Sequence, residues 1–358
     1  MSCPTLKVHS CEMKQSDKVK YLGTILSSGG TLDETITDRR NQGWSKVSYI
    51  QGLLSEVDMG KNRCEIGLML RRSILVNSLL FSLEVMSNLK QKDILRLEKL
   101  DEAMLRSLTR GHSKAPIIFS YLETGSLKLR HMLVIKRLMF HRHLLTRDKK
   151  ETIRKIYEQQ KNEFTKGDWY QILLDDFKFI GEILDEDIIL SYSKAAYKKH
   201  VEEKVRKASF DLYMNEKNKY SKLRKVNYEK FELQSYLKNQ NFSNKERNLL
   251  YSLRSQYYSA KYNFKKMYQN DKCSLGCDTL ENQEHIFQSC IKLQKNLKVP
   301  DYNYIFGDVS RQKEAIKTFL HIEEIRKRML EKLLPGGAIN CQDPSNSAFQ
   351  AGAATVVL

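Results

Sequence analysis

Three cysteines and one histidine lie close together in the C-terminal third of the chain. Their spacing is Cys-x3-Cys-x7-His-x4-Cys, from Cys273 and Cys277 to His285 and Cys290. Thiolates and imidazoles are ligands that Zn²⁺ favours, and a structural zinc site takes four of them in tetrahedral geometry. Gly276 allows a tight backbone turn between the first two cysteines. The spacing therefore predicts a zinc knuckle, which is structural because protein ligands fill all four positions.

An alternative interpretation is that these four residues are ordinary core residues that lie together by chance. Four of the chain's fifteen Cys and His residues within 18 positions make this the weaker interpretation. The other cysteines, Cys3, Cys11, Cys64 and Cys341, have no comparable partners in the sequence. Seven cysteines without a secretory signal indicate a reducing compartment instead of a disulfide framework. We expect an intracellular protein, in the nucleus or cytoplasm, that is not secreted.

The positive charge of the chain is high and unevenly distributed. The formal net charge is +18 at pH 7, which indicates a polyanionic partner. Residues 191–272, here called the basic segment, contain 20 Lys and Arg against 8 Asp and Glu, and also 11 of the 18 tyrosines. Cationic side chains neutralise phosphates and aromatic rings stack on unpaired bases. The segment therefore predicts binding to RNA or DNA.

Individual contact residues are a weaker prediction than the basic segment itself. A single lysine often belongs only to a solvated helix face, and Tyr213, Tyr220 and Tyr228 are as well placed for a core as for a stacking surface. The side chains that we expect to contact nucleic acid are basic or aromatic and clustered along the segment: Arg206, Lys207, Lys222, Arg224, Lys225, Arg254, Tyr257, Tyr258, Lys261, Lys265 and Lys266.

The elements expected around these residues are mainly α-helical. Five prolines and sixteen glycines are few for a sandwich or barrel, and stretches rich in Leu, Lys, Glu and Arg favour helix. At the N-terminus, residues 6–8 and 20–26 flank a polar middle, as two arms of a short β-hairpin would. The predicted segments are a hairpin at 1–30, a helical domain at 31–146, a helical linker at 147–190, the basic helical segment at 191–272, the knuckle at 273–290, a fold-back helix at 291–334 and a disordered tail at 335–358.

Several short motifs resemble, in their order, the C-terminal part of the reverse transcriptases of LINE-type (non-LTR) retrotransposons. Lys20-Tyr21-Leu22-Gly23 is similar to the end of the primer-grip hairpin of the palm. The run Leu79-Leu80-Phe81-Ser82-Leu83-Glu84 resembles a thumb motif that has an aromatic residue, Gly, any residue and Glu; Ser82 departs from it, and Glu84 matches it.

Further motifs downstream extend this resemblance to residues 3–334. They are Leu122-Glu123-Thr124-Gly125-Ser126-Leu127 with Arg130, the lysine-rich connector, the CCHC spacing, and Tyr304-Ile305-Phe306-Gly307 with its following helix. The resemblance implies that 1–30 is the end of a palm and that 31–146 is a thumb-like helical bundle. It also implies that Lys20, Tyr21 and Gly23 contact nucleic acid.

The catalytic aspartates of such polymerases have no counterpart here. They form a pair, usually in Tyr-x-Asp-Asp, that acts with an upstream aspartate to hold two Mg²⁺ ions. The adjacent pair Asp175-Asp176 lacks the tyrosine and follows the thumb-like region instead of preceding the Tyr21 hairpin. We interpret it as the exposed face of an amphipathic helix. The expected function is nucleic-acid binding by a fragment that is not an enzyme on its own.

Three alternatives remain open. The chain can be a domesticated or truncated zinc-knuckle protein that binds RNA or DNA without any retroelement activity. It can be a metal-dependent nuclease that uses Asp301, Glu314 and Lys317, although Glu and Lys are three residues apart where such a site has two. It can bind a membrane surface, but the basic segment lacks a strong apolar face, and the apolar run at 73–89 is short for a span. We expect no membrane partner.

Overall fold

The computed structural model is mainly helical, which confirms the fold class expected from the sequence. It describes residues 7–8, 11–12, 16–21, 23–56, 63–163, 167–261, 263, 270–295 and 297–333. The expected tail at 335–358 and the two lysines Lys265 and Lys266 lie outside the described residues.

The α-helices differ widely in length and are joined by short 3-10 and π turns. The α-helices are α1 (Asp33–Glu56), α2 (Arg63–Leu70), α3 (Asn77–Leu79), α4 (Gln91–Thr109), α5 (Ile117–Thr124), α6 (Leu129–Leu145), α7 (Thr152–Asn162), α8 (Trp169–Phe179), α9 (Glu186–Ser191), α10 (Lys194–Asn218), α11 (Ser235–Lys238), α12 (Asn244–Arg254) and α13 (Val309–Leu333). The π turns are Arg71–Val76 and His285–Ser289, and the 3-10 turns are Leu83–Val85, Ser221–Leu223 and Tyr302–Phe306.

The N-terminal strands form two local antiparallel pairs. β1 (Lys7–Val8) pairs with β2 (Cys11–Glu12), and β3 (Lys18–Tyr21) pairs with β4 (Thr24–Ser27). The connection between β3 and β4 is two residues long and ends in Gly23, whose φ of 79° is one that glycine adopts without strain. The expected hairpin is present. The expected pairing of residues 6–8 with 20–26 is wrong, because residues 20–26 contain the turn of their own hairpin.

The chain divides into two compact units. Unit 1 comprises Met1–Tyr49, Arg72–Asp101 and Lys128–Ala208, and unit 2 comprises Ile50–Arg71, Glu102–Leu127 and Ser209–Leu358. Residues of the expected helical domain and of the basic segment therefore occur in both units.

In unit 1, the buried Arg39 of α1 links the hairpin to the turn that follows α3. Its guanidinium lies 3.3 Å from the hydroxyls of both Thr24 and Ser82, which are themselves 3.0 Å apart. Thr35 adds a second link, because its hydroxyl accepts from the backbone N–H of Ile25 at 3.0 Å. These contacts fix β4 against the start of α1.

The aspartate pair in α8 does not form one exposed face. Asp175 is exposed as expected, but Asp176 is buried and accepts two bonds from Arg137 of α6, at 2.5 and 2.7 Å. Burial raises the pKa of Asp176, and the Arg137 guanidinium acts in the opposite direction. The expectation of an exposed Asp176 is wrong because a bidentate partner allows a carboxylate to be buried.

The core of unit 2 brings α5, α12, α13 and the Cys/His residues into one apolar cluster. The ring of Phe119 meets Tyr251 edge to face, with centroids 4.9 Å apart. The Tyr304-Ile305-Phe306-Gly307 motif lies at the 3-10 turn Tyr302–Phe306, and the helix that follows it is α13, which buries Ile316 and Phe319 in this core.

Within the ranges that the structure describes, no helix combines the length and the apolar character that crossing a bilayer requires.

Candidate metal centre and nucleic-acid interface

The four residues of the Cys-x3-Cys-x7-His-x4-Cys pattern converge in unit 2. One potential ligand atom from each of Cys273, Cys277, His285 and Cys290 lies within 4.8 Å of all the others. The group can hold a metal ion, as the spacing predicts. Among the described residues, no other group of three or more Cys, His, Asp or Glu side chains is close enough to hold a metal ion.

Residues 273–290, which contain the four potential ligands, are called the Cys/His element. Its first two cysteines lie on a tight turn. The N–H of Gly276 donates to the carbonyl of Cys273 at 3.1 Å, and the N–H of Cys273 donates to the carbonyl of Thr279 at 2.8 Å. Gly276 has a φ of 87°, a left-handed conformation that side chains disfavour. This turn faces both thiols toward the same point.

The last two ligands are presented by a π turn. The turn spans His285–Ser289, and Cys290 follows it directly in an extended conformation. The backbone hydrogen bonds of a π turn join residues five positions apart, whereas those of an α-helix join residues four positions apart. Because His285 and Cys290 are five positions apart, this wider turn places them on the same side of the chain.

The sulfur atoms have the separation of metal ligands. The Sγ atoms of Cys277 and Cys290 are 3.8 Å apart, which is far beyond the roughly 2.05 Å of a disulfide bond. Two sulfurs bound to one zinc ion at about 2.3 Å in tetrahedral geometry are about 3.8 Å apart. The distance therefore matches one edge of a tetrahedral thiolate site.

Burial shifts the pKa of two of the four residues toward their uncharged forms. Burial raises the pKa of Cys290 to about 12, and the neighbouring Cys273 adds to this effect, whereas the amide of Leu293 opposes it. A thiolate at this position thus needs a compensating positive charge, which a metal ion supplies. Burial lowers the pKa of His285, which keeps the imidazole in the neutral form that binds metals.

Glu281 stabilises the cysteine turn from the outside. Its buried carboxylate accepts the N–H of Ser274 at 2.7 Å and the guanidinium of Arg326 in α13 at 2.7 Å. Of the acidic residues near the ligands in the sequence, Asp278 is instead exposed and paired with Lys272. The sequence alone does not distinguish these two carboxylates, and it does not indicate Arg326, which lies 45 positions from Glu281.

Two hydroxyl groups lie beside the histidine ligand. The hydroxyls of Thr279 and Ser289 are 3.2 and 3.3 Å from Nδ1 of His285. Metal-binding histidines usually donate the second ring N–H to an oxygen acceptor, which fixes the ring. Neither hydroxyl was identified from the sequence.

The Cys/His element packs into unit 2 and is not a free-standing knuckle. The ring of Phe287 lies between Tyr258 and Phe319 of α13, with centroid distances of 5.0 and 5.2 Å. The ring of Phe287 is fully buried. The element and α13 therefore share one core.

Among the residues expected to contact nucleic acid, the charged side chains of Lys207, Arg224 and Lys225 are exposed. Lys225 lies 3.7 Å from the carboxylate of Glu284, which precedes the histidine ligand. In unit 2, this contact joins the basic segment to the Cys/His element. Arg206 is half-buried.

Lys222 and Tyr257 form a compact pair. The ammonium of Lys222 lies 4.4 Å from the centroid of the Tyr257 ring and 2.9 Å from Oδ1 of Asn263. The ring also stacks with His112 at 6.4 Å. Tyr257 is therefore held by protein groups. Tyr220, by contrast, is 39% exposed.

Arg254 and Tyr258 are corrections to the expected contacts. Arg254 is 3% exposed, and Tyr258 is 5% exposed beneath the Cys/His element. Tyr213 and Tyr228, whose placement the sequence left open, are also buried. Basic and aromatic residues of this segment thus serve the core as well as the surface.

The partner of Arg254 is the fully buried Glu123 at the end of α5. Nη2 of Arg254 donates to Oε1 of Glu123 at 2.8 Å, and the hydroxyls of Tyr228 and Tyr236 donate to the same carboxylate at 2.7 and 2.6 Å. Nη1 of Arg254 donates to the carbonyl of Ile305 at 2.9 Å. The motif that contains Glu123 was noticed in the sequence, but nothing there indicates this network.

Lys261 is tied to the Cys/His element and is half-buried. Its ammonium donates to the carbonyl of Lys272 at 3.0 Å, and its N–H donates to Glu281 at 3.4 Å. Its position serves the turn that holds Cys273.

In unit 1, the hairpin residues expected to contact nucleic acid are exposed. Lys20 forms an ion pair with Asp38 at 3.0 Å, and this contact lowers the pKa of Asp38. Tyr21 is 63% exposed, and the ring of Phe81 lies beside the Gly23 turn. Ser82 has a φ of 51°, so the position at which the resembling motif has glycine adopts the conformation that glycine favours.

Asp301, a residue of the nuclease alternative, has a local structural role. Its carboxylate accepts the N–H of Asn303 at 2.8 Å and so starts the 3-10 turn. The nuclease alternative itself stays a prediction.

In comparisons with known proteins, the chain matches no protein-family model, no curated protein and no solved structure.

Proposed function

We propose that this protein binds nucleic acid, RNA or single-stranded DNA, through its basic segment, and that a structural Zn²⁺ ion organises the adjacent Cys/His element. The observation that carries the proposal is the convergence of three thiols and an imidazole next to exposed arginine and lysine side chains. Knuckles with this donor set are common in proteins that bind single-stranded nucleic acid.

The donor set selects zinc over other common ions. Three sulfurs and one nitrogen in a closed tetrahedral arrangement are typical of structural zinc, whereas Mg²⁺ and Ca²⁺ prefer oxygen ligands. Cys273, Cys277, His285 and Cys290 would hold the ion. It would cross-link the cysteine turn to the π turn and add no reaction chemistry.

The grip on nucleic acid is electrostatic and independent of sequence. Arg224 and Lys225 neutralise phosphates, and the exposed ring of Tyr220 stacks on a base. The contact between Lys225 and Glu284 shows that Lys225 lies beside the Cys/His element. Lys207 and the exposed Lys20 and Tyr21 of unit 1 are further contacts in this proposal.

We further propose that the chain is related to the C-terminal part of a LINE-type reverse transcriptase, without the polymerase active site. Two backbone positions at which glycine is favoured support this relation. Ser82 adopts a left-handed φ where the family motif has glycine. At Gly125 of the Leu122–Leu127 motif, a Cβ would lie 2.5 Å from the backbone of Glu232. In this proposal the chain binds nucleic acid and does not polymerise it.

The test is binding of fluorescently labelled single-stranded RNA and DNA by the whole chain over a series of salt concentrations. We expect the logarithm of the binding constant to fall linearly with the logarithm of the salt concentration. Replacing Arg224 and Lys225 together by alanine should reduce the slope. The matched control replaces the exposed adjacent pair Lys327 and Arg328 of α13 and should leave the slope unchanged. Binding that does not respond to salt, or an equal loss in both double variants, would contradict the proposal.

A further inference from the structure

A second polar cluster in unit 2 lies away from the Cys/His residues. Arg63 at the start of α2, Arg110 after α4 and Arg247 of α12 line one pocket, together with Thr109, Asn244 and Asn248. The pocket is small and partly open to solvent. No Asp or Glu is among the described residues that line it.

The first unusual feature of this pocket is the buried charge of Arg247. Arg247 is 5% exposed, and its guanidinium donates to the carbonyls of Tyr236 and Asn239 and to the side chain of Asn244, at 3.3, 2.9 and 3.3 Å. All three acceptors are neutral. The adjacent Glu246 is committed to Lys313 at 2.7 Å. A buried cation without a carboxylate is costly unless an anion approaches it.

The second feature is that Arg63 keeps an unused donor. Its Nη1 donates to the carbonyl of Leu54, but its Nε is buried and has no hydrogen-bond partner among the described residues. Arg110 is close enough to repel it, because burial first and the charge of Arg110 second lower the pKa of Arg63. Two arginines that repel one another thus line the same pocket, and Arg63 has a donor to spare.

The third feature is the backbone of Arg110. It follows the last turn of α4 with a φ of 50°, and the N–H of Gly111 donates to the carbonyl of Arg106 at 3.0 Å. Helices commonly end in a left-handed residue of this kind, which is usually glycine. Here the strained position carries an exposed arginine at the pocket, and the glycine follows it.

We propose that this pocket binds a phosphate group in the dianionic, terminal form. Three guanidinium groups match a charge near −2, which a phosphomonoester carries at neutral pH and a phosphodiester does not. Guanidinium groups also fit phosphate oxygens with paired donors. The group is either free inorganic phosphate or the terminal phosphate of a nucleotide chain. This pocket contains none of the metal ligands. Its binding of a terminal phosphate is a property additional to the proposed binding of nucleic acid by the exposed side chains of the basic segment.

The test is calorimetric titration of the whole chain with three probes: inorganic phosphate, a dinucleotide with a 5′-phosphate and the same dinucleotide with a 5′-hydroxyl. We expect inorganic phosphate to bind, and the 5′-phosphate to bind more tightly than the 5′-hydroxyl if nucleic acid is the source. Binding of inorganic phosphate alone supports the site and identifies free phosphate as its ligand. No phosphate binding at about 1 mM, a concentration that detects weak complexes, overturns the proposal.

Variants distinguish specific binding in the pocket from nonspecific attraction of phosphate to a positively charged protein. Arg110→Gln should weaken phosphate binding roughly 10- to 100-fold, as the removal of a charge-assisted hydrogen bond does. Arg63→Gln should act in the same direction. Arg328→Gln removes an exposed charge from α13 of the same unit and should change nothing. Unchanged binding in both pocket variants, or an equal weakening in Arg328→Gln, would show that no such site exists; thermal unfolding of each variant checks that it is folded.

Discussion

In the Cys/His element the sequence pattern predicts where the candidate site residues lie, whereas in the basic segment it does so for only some of them. All four ligands expected in the element come together within 4.8 Å. In the basic segment, by contrast, the expected contact residues separate into the exposed Arg224 and Lys225 and the buried Arg254 and Tyr258. The residues compared here all belong to unit 2, so the difference lies in chemistry and not in the unit.

The comparison teaches that ligand spacing constrains a structure more strongly than charge density does. A tetrahedral site requires every ligand at one point, and so the spacing alone determines a local fold. A lysine or arginine in a basic segment can serve a phosphate, a carboxylate or a carbonyl equally well. Arg254 illustrates this freedom, since its partner Glu123 is 131 positions away.

The largest expected effect is that of zinc removal on the Cys/His element. Removing zinc with a strong chelator should unfold the Cys/His element and loosen the packing of Phe287 against Tyr258 and Phe319. Structural zinc contributes on the order of 10 kcal/mol to small knuckles. Hydrogen exchange of residues 270–295 measures the effect, and adding zinc back should reverse it. Unchanged exchange after chelation would mean that packing alone holds the element.

The next largest effect concerns the buried part of the basic segment. Glu123→Gln should destabilise the protein by about 3–5 kcal/mol, because it leaves the charge of Arg254 buried without a partner. Urea unfolding measures the change in the free energy of unfolding, and Glu229→Gln is the control at an exposed position. If both variants were equally stable, Arg254 would not be the core residue described above.

Gly125 tests the packing beside the same network. Gly125→Ala should cost about 2 kcal/mol or more, because a Cβ would meet the backbone of Glu232 at 2.5 Å and φ is 59°. Gly29→Ala is the matched control, since a Cβ at Gly29 has nothing within 4 Å. Thermal unfolding of the two variants gives the comparison. Equal melting temperatures would contradict the close approach.

The smallest effect belongs to the exposed part of the basic segment. Replacing Arg224 and Lys225 by alanine should lower the slope of log K against log salt by about 0.7 for each phosphate of a single strand that is no longer neutralised. Stability should hardly change, because both side chains are exposed. A large decrease in stability with an unchanged slope would mean that Arg224 and Lys225 belong to the core and do not bind phosphates.

The sequence predicted those features that depend on neighbours along the chain. The ligand spacing, the helix after the Tyr304-Ile305-Phe306-Gly307 motif and a short N-terminal hairpin all rest on residues a few positions apart. The pairing of the hairpin was missed because the Gly23 turn lies inside the stretch interpreted as a single strand. The burial of Asp176 was missed for a different reason, since its partner Arg137 is 39 positions away.

The outer contacts of the metal site mark the limit of sequence reasoning. Glu281 is a plausible support from its position alone, but its choice over Asp278 depends on Arg326 in α13. The anion pocket is similar, because Arg63, Arg110 and Arg247 are far apart in the chain and only the fold brings them together. Periodicity and composition carry no information about such pairs.

Metal analysis of the purified chain is the most direct test of the central idea that thiols and an imidazole organise the nucleic-acid-binding surface around an ion. Wild-type protein should contain one zinc ion per chain, and Cys290→Ser should contain much less and lose affinity for single-stranded RNA and DNA. A chain that is purified without zinc, remains folded and binds as tightly as its Cys290→Ser variant would contradict the account.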